Sequence, residues 1–292
     1  MATSSSSAEG LPSRFRNAAA RARYNNIVAA ENKWEEQGFL FDDHLENYGL
    51  EPLIYKRLSD LGWLHFDRQA AQANLSWVRE FYAHNPEGND AAYVRGRQVP
   101  TNSATINTLL DLPADLPNIY SLIDDLEDED LNLIKDQLCQ PKTTWNITGK
   151  NPGTISRPQL LPEAKLWNTF IKRNLMPTSH NQTVDRTWMV LINAIITSFK
   201  FNVGEVIARE LSDVYQNDKG ILAFPCIIST LYRRTAVSSH PSDQVHTPKV
   251  RLDSEGVYAQ DGPGRCYSDT SGYAHTSHQS QAKTSAPSPT DA

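Results

Sequence analysis

The run Trp188–Ile196, W-M-V-L-I-N-A-I-I, is apolar on nearly every side and constrains the chain more than any other stretch. A helix without a polar stripe must be surrounded by other elements. The run is far too short to span a bilayer. It predicts a core helix with neighbours on all sides, and the sequence around it supplies them. Pro162 suits a first helical turn, and Leu166, Trp167, Phe170, Ile171 and Leu175 then recur at spacings of three and four. Met176-Pro177 ends that helix, because a residue before proline leaves the α region. The polar Ser179–Thr183 stretch predicts a cap, with the central helix starting near Thr183.

Two further helices follow. Asn202 with Glu205 resembles a capping box ahead of a stripe of Val203, Val206, Ile207, Leu211 and Val214, stopped by Asp218-Lys219-Gly220. Phe224-Pro225 opens the next, with Ile227, Ile228, Leu231 and Tyr232 turned inward. Arg233 and Arg234 fall in its last turn, where positive charge complements the helix dipole.

Upstream, Ser13–Gln37 reads as a helix ended by Gly38, with Ala residues, Tyr24, Ile27 and Trp34 on one face. A second opens at Pro52, runs through Ile54, Leu58 and Leu61, and closes at Gly62. Asp67–His84 reads as a third, with Ala71, Leu75, Val78 and Tyr82 on its core face beside Trp77 and Phe81. Ala92–Val94 and Gln98–Val99 flank Arg95-Gly96-Arg97 as strand, turn and strand. A short helix, Ile106–Leu110, ends at Asp111-Leu-Pro113. Carboxylates then crowd to Asp130 in a solvated loop that feeds a helix from Glu129 to Leu138. Asp124–Asp136 lacks the central glycine and ligand alternation of a calcium loop. Thr144–Ile147 and Thr154–Ile155 form a second small hairpin around Gly149 and Gly153.

The two ends differ from this pattern. Residues 1–12 are Ser-rich, and residues 238–292 are dominated by Ser, Thr, His, Pro, Gly and Gln without periodicity. Such composition buries too little surface to offset the entropy of ordering it. The resulting expectation is a mainly α fold over residues 13–237, with one or two small β-hairpins. A flexible N-terminus covers residues 1–12, and a disordered C-terminal tail covers residues 238–292.

Chemistry-bearing motifs are missing. Neither a phosphate-binding glycine loop, a G-x-G-x-x-G turn, an H-E-x-x-H helix nor a G-x-S-x-G elbow occurs. A nuclease of the RNase H type needs carboxylates on neighbouring strands, close enough to share two metal ions, and the predicted strands carry none. His65-Phe-Asp-Arg68 matches the H-x-x-R of tyrosine recombinases, a tetrapeptide that arises by accident in a chain with eight histidines. Cys139, Cys226 and Cys266 are too few and too scattered for a disulfide framework or a zinc site, and Cys266, His275 and His278 belong to the tail. No catalytic residue, metal site, cofactor or small-molecule substrate is therefore expected. No secretory h-region opens the chain, so the expectation is intracellular, and the sequons at Asn74, Asn146 and Asn181 read as ordinary polar triplets.

A net charge of −6 argues against a protein that coats nucleic acid, while leaving room for a local basic face. The candidates for such a face are Arg14, Arg16, Arg21 and Arg23, on the most basic helix, together with Arg95 and Arg97 at the hairpin turn. The other role for these arginines is a solvated surface.

Several stretches carry a family resemblance in order along the chain. They are Trp77–Ala83 (W-V-R-E-F-Y-A), Tyr93–Pro100 leading into Ile106–Pro113, Leu161–Trp167, Met176–Thr183, Asn202–Ile207 and Phe224–Ile228. The chain resembles the putative plant transposon protein domain from about Phe15 to Val237. Its strand-turn-strand-helix ending in L-L-x-L-P is also similar to part of the plant mobile domain. That family usually has Gly where this chain has Asp111. The resemblance implies a mobile-element origin and a fold, with no established reaction and no catalytic residue to carry over. It implies a non-catalytic module that binds protein or nucleic acid, and favours a nuclear setting. The competing class is a recombinase or transposase with an unrecognised active site.

Overall fold

A computed structural model describes residues 14–30, 40–41, 50–64, 72–84, 90–148, 151–178, 182–216, 222–247 and 251–252. It is mainly α-helical with small, mostly antiparallel strand pairs, and its helices gather around the apolar run. In chain order the first elements are α1 (Ala18–Ala30), β1 (Leu40–Phe41), α2 (Glu51–Leu61), β2 (Ala73–Asn74) and α3 (Leu75–His84). A hairpin of β3 (Ala91–Val94) and β4 (Arg97–Pro100) precedes α4 (Ser103–Leu109), α5 (Ile119–Asp124) and α6 (Asp128–Leu138). Then come β5 (Asn146–Thr148), β6 (Asn151–Ser156), α7 (Pro162–Asn174), β7 (Thr183–Asp185) and α8 (Arg186–Ile196). The last elements are α9 (Val203–Gln216), α10 (Pro225–Arg234), β8 (Val245–His246) and β9 (Arg251–Leu252), the last pairing in parallel with β1.

The central helix is α8. It packs against α7, α6, α5 and α2, and seven of its residues, Trp188–Ile192, Ala194 and Ile195, are buried. Its start differs from expectation. Thr183–Asp185 form β7, which adds to β6 with Val184 opposite Ile155, and Asp185 is the cap, accepting from the Trp188 N–H at 3.0 Å. The β-branched Thr183 and Val184 suit a strand, and burying Val184 against Ile155 outweighs extending the helix. The second hairpin is thus the first two strands of a three-stranded sheet.

Other boundaries also moved. The described first helix begins at Ala18, where the Asn17 side chain accepts from the Ala20 N–H at 2.8 Å; residues 31–39 lie outside the described set. α3 begins at Leu75, because Asn74 turns its side chain onto the Trp77 N–H (3.1 Å) while Ala73-Asn74 pair with β8. Residues 65–71, including the H-x-x-R match, also lie outside. The acidic loop contains a helix, α5, started by Asn118 and anchored by buried Ile119 and Ile123. Its six residues are too few to show a period.

Two turns were legible. Gly62 ends α2 at φ 78°, and the β3–β4 hairpin turns through Arg95 (φ 46°) and Gly96 (φ 80°), the two left-handed positions of a two-residue hairpin turn. Asp111 stands where a glycine would be expected and still adopts φ 57°, so the Leu112 N–H reaches the Asn107 carbonyl at 2.9 Å and α4 closes tightly. Between α4 and α9 the backbones nearly touch: a Cβ on Gly204 would lie 2.3 Å from the Ser103 carbonyl oxygen.

The described residues reach past the expected tail boundary at residue 238. Ser238–Thr247 are described, and β8 pairs antiparallel with β2, placing Asn74 opposite Val245. Composition alone hid this, because the segment is held by polar groups rather than an apolar stripe. The rest of the expected tail, apart from β9, lies outside the described residues.

Candidate nucleic-acid interface

The six candidate arginines do not form one face. Arg95, forced to the hairpin tip, turns its side chain inward and is 9% exposed. Its Nε and Nη2 donate to the Glu80 carboxylate at 2.9 and 2.7 Å, and its Nη1 and Nη2 donate to Asp243 at 2.9 and 2.7 Å. Nη1 also reaches the Ser238 carbonyl at 2.8 Å. The guanidinium is a clamp joining α3 to the segment after α10. Burial by itself would lower its pKa, but the hydrogen bonds it donates to Asp243 and Glu80 hold it above its ordinary value. These charge-assisted bonds also offset the left-handed backbone at Arg95.

Glu80 is fully buried on α3. Its second cation is Arg14, whose Nε donates to it at 2.6 Å while Nη2 donates to the Tyr24 hydroxyl. Arg23 donates to the Ala83 carbonyl at 2.8 Å, filling an acceptor at the end of α3 where positive charge suits the dipole. The arm ahead of α1 is tied down further by the Arg16 N–H, which donates to His84 Nε2 at 3.1 Å. That leaves His84 Nδ1 to donate to the Glu80 carbonyl at 2.7 Å. Burial lowers the His84 pKa, against the pull of Glu80 in the other direction.

The remaining three, Arg16, Arg21 and Arg97, are exposed. The Arg16 guanidinium lies 5.7 Å from the Tyr93 ring, and that of Arg21 lies 5.7 Å from Phe15. Arg233 and Arg234 reach main-chain carbonyls, those of Gln72 and Thr108, in keeping with a role at the helix end.

Sequence reasoning missed the partners of these arginines. Asp243 carries the clearest mark. Burial works to raise its pKa, yet hydrogen bonds from Arg95, the His240 N–H and Asn74 bring it down to about 2. Asn74, Ser76 and Arg79 are buried beside it, Asn74 donating to Asp243 (3.0 Å) and Arg79 to the Gln244 side-chain oxygen (2.6 Å). Nothing in the sequence around Asp243 could have signalled this, since the residue sits in a run without periodicity. Among the described residues, no group of three or more His, Cys, Asp or Glu side chains could hold a metal ion, and no helix is long and apolar enough to cross a membrane. Cys139 is a buried free thiol, with burial pushing it up to about 12, and Cys226 is buried as well.

Comparison with known proteins supplies a family and nothing finer. No curated protein and no solved structure matches the chain. One family description, the putative plant retrotransposon-related domain, matches residues 59–238, from the end of α2 to the first residue after Val237. The matched span holds the central helix α8, the hairpin that presents Arg95 and the buried Glu80, with the Arg14 arm and Asp243 attaching from outside it. This chain belongs to the putative plant retrotransposon-related domain family.

Proposed function

We propose that the chain is a non-catalytic binding module of plant retrotransposon origin, and that its partner is a protein. The observation that carries this reading is the burial of Arg95 between Glu80 and Asp243. With Arg14 and Arg23 also engaged on α3, three of six candidate phosphate contacts serve the fold. Affinity for nucleic acid scales with the phosphates neutralised, and the three candidates left exposed, in a chain of net charge −6, provide few. Opposing charge is plentiful, since Asp124, Asp125, Glu127, Asp128 and Glu129 crowd the exposed surface of α5 and α6. The non-catalytic part draws support from the two most buried carboxylates among the described residues: Glu80 is paired with Arg95 and Arg14, and Glu163 with Arg57 at 3.5 Å. A nuclear setting belongs with this proposal as a consequence of mobile-element ancestry.

A second reading has its own support. Arg16 beside Tyr93, with Arg21 and Arg97 exposed, combines cations with an aromatic face of the sort that single strands stack upon. The deciding experiment is a titration of mixed-sequence duplex and single strand at low and moderate salt. The wild-type chain is compared with an Arg16→Ala, Arg21→Ala, Arg97→Ala variant. The protein-binding reading expects no saturable binding by either protein. Salt-steep binding that the triple variant loses would replace it with the nucleic-acid reading. Metal-dependent strand cleavage or joining by the same preparation would replace both with the recombinase or transposase alternative.

A further inference from the structure

We propose that the groove lined by β2, α3 and the β3–β4 turn is a docking site for an extended acidic segment of a partner protein. The chain's own Ser238–Thr247 fills the groove in cis. This rests on the protein-binding reading above and gives it a site and a partner chemistry.

The occupant shows what the groove recognises. Main-chain pairing comes first: β8 lies antiparallel to β2, and the Leu75 N–H donates to the Gln244 carbonyl at 2.8 Å. The Gln244 N–H donates in turn to the Ser76 hydroxyl at 3.1 Å. Two side-chain sockets then read consecutive residues. Arg95 and Asn74 take the Asp243 carboxylate, and Arg79 takes the Gln244 side chain. Strand addition with sockets for particular side chains is a general mode of peptide recognition, in which the backbone supplies affinity and the sockets supply specificity.

The occupant is also built to leave. Asn74, Ser76, Arg79 and Arg95 are buried, whereas most residues from Ser238 to Thr247 are exposed, Val245 at 58%. Among the described residues, the last apolar side chain that enters the core is Val237, and the strap is held through main-chain pairing and the polar contacts of Asp243 and Gln244. Its fit is incomplete. Arg79 is 8% exposed, its Nε has no partner, and Nη1 donates to a neutral amide oxygen. A buried guanidinium is better satisfied by a carboxylate, which accepts two parallel charge-assisted bonds. An extended Asp-Glu segment therefore suits the groove better than the chain's own Asp243-Gln244. Such a segment must overcome the effective concentration of the tethered strap, on the order of millimolar. The additional charge-assisted bonding supplies part of that advantage.

The test uses the full chain carrying Asp243→Ala and Gln244→Ala, which disables the strap. Three fluorescent ten-residue peptides are titrated: Ser238–Thr247 as it stands, the same with Gln244→Glu, and the same with Asp243→Asn. The disabled chain should bind the first, bind the Glu peptide about five- to tenfold more tightly, and bind the Asn peptide about tenfold more weakly. The wild-type chain should bind all three more weakly, because its own strap competes. A Glu peptide that binds no better than the Gln peptide overturns the proposal. So does the absence of saturable binding by a variant that still melts cooperatively. Concentration-dependent dimers of the wild-type chain that Asp243→Ala abolishes would also overturn it, giving the groove to strap exchange between copies. Should the disabled chain not fold, Gln244→Glu in the full chain replaces it. That variant should raise the melting temperature and reduce peptide binding, and an unchanged melting temperature overturns the proposal. The nucleic-acid titration tests the broader reading on Arg16, Arg21 and Arg97, so the two ideas can fail separately.

Discussion

At the scale of single residues, Arg95 and Arg97 sit two positions apart on one hairpin and have opposite fates. Arg97 is exposed, and Arg97→Ala should change stability by less than about 0.5 kcal/mol, as surface substitutions do. Arg95→Ala leaves Asp243 without its guanidinium and Glu80 with only Arg14, so it should cost about 3–5 kcal/mol. Urea denaturation of the two variants beside wild type measures both, and equal midpoints would show that the buried clamp carries no stability. The same cluster sets an acid response. Asp243 titrates at about 2 when folded, below the ordinary carboxylate value of about 3.9. The unfolded chain therefore takes up the proton first as pH falls. The stabilisation is present above about pH 4 and is lost between about 4 and 2. Arg95, Glu80 and His240 are the charged or titratable groups around it. Asp243→Asn should show a shallower loss of stability over that window than wild type in acid titrations followed by circular dichroism.

Among elements, the contact between α4 and α9 is the closest. Asn107 projects from α4 and accepts from the Gly204 N–H at 2.8 Å, while its amide donates to Asn202, the residue that caps α9. A methyl group at Gly204 would meet the Ser103 carbonyl and the Asn107 side chain at 2.3 and 2.7 Å. Gly204→Ala gains roughly 0.5–1 kcal/mol of helix propensity. Backbone cannot yield as a flexible side chain does, so overpacking should cost about 1–3 kcal/mol and decide the sign. The expected outcome is a net loss in chemical denaturation, and a stabilised variant would show that the two helices part easily. The element-level reading of the sequence succeeded where an apolar period ran for several turns, as in α7 and α9. It failed for α5, which is too short, and for β7, where capping residues and strand residues look alike.

For the whole molecule, the family match ends at residue 238, but the folded unit does not. Arg14 from before the matched span and Asp243 from after it meet at Glu80 and Arg95 inside it. A chain ending at Val237 should therefore be less stable than one ending at Thr247, by about 2–4 kcal/mol for the lost charge-assisted and strand hydrogen bonds. Paired melts of the two truncations check this, and indistinguishable curves would return the boundary to Val237.

The sequence by itself determined the helical class, the central place of Trp188–Ile196, the β3–β4 hairpin and the family. Each of these rests on a local pattern: apolar spacing, turn residues, or an ordered string of motifs. Only the tertiary structure decided what the arginines do. Glu80 and Arg95 are 15 residues apart in the chain, and Asp243 lies 148 residues beyond Arg95, with no periodicity near it. Whether a cation faces solvent or closes a buried clamp depends on which carboxylates the fold carries to it, and composition holds no record of that distance.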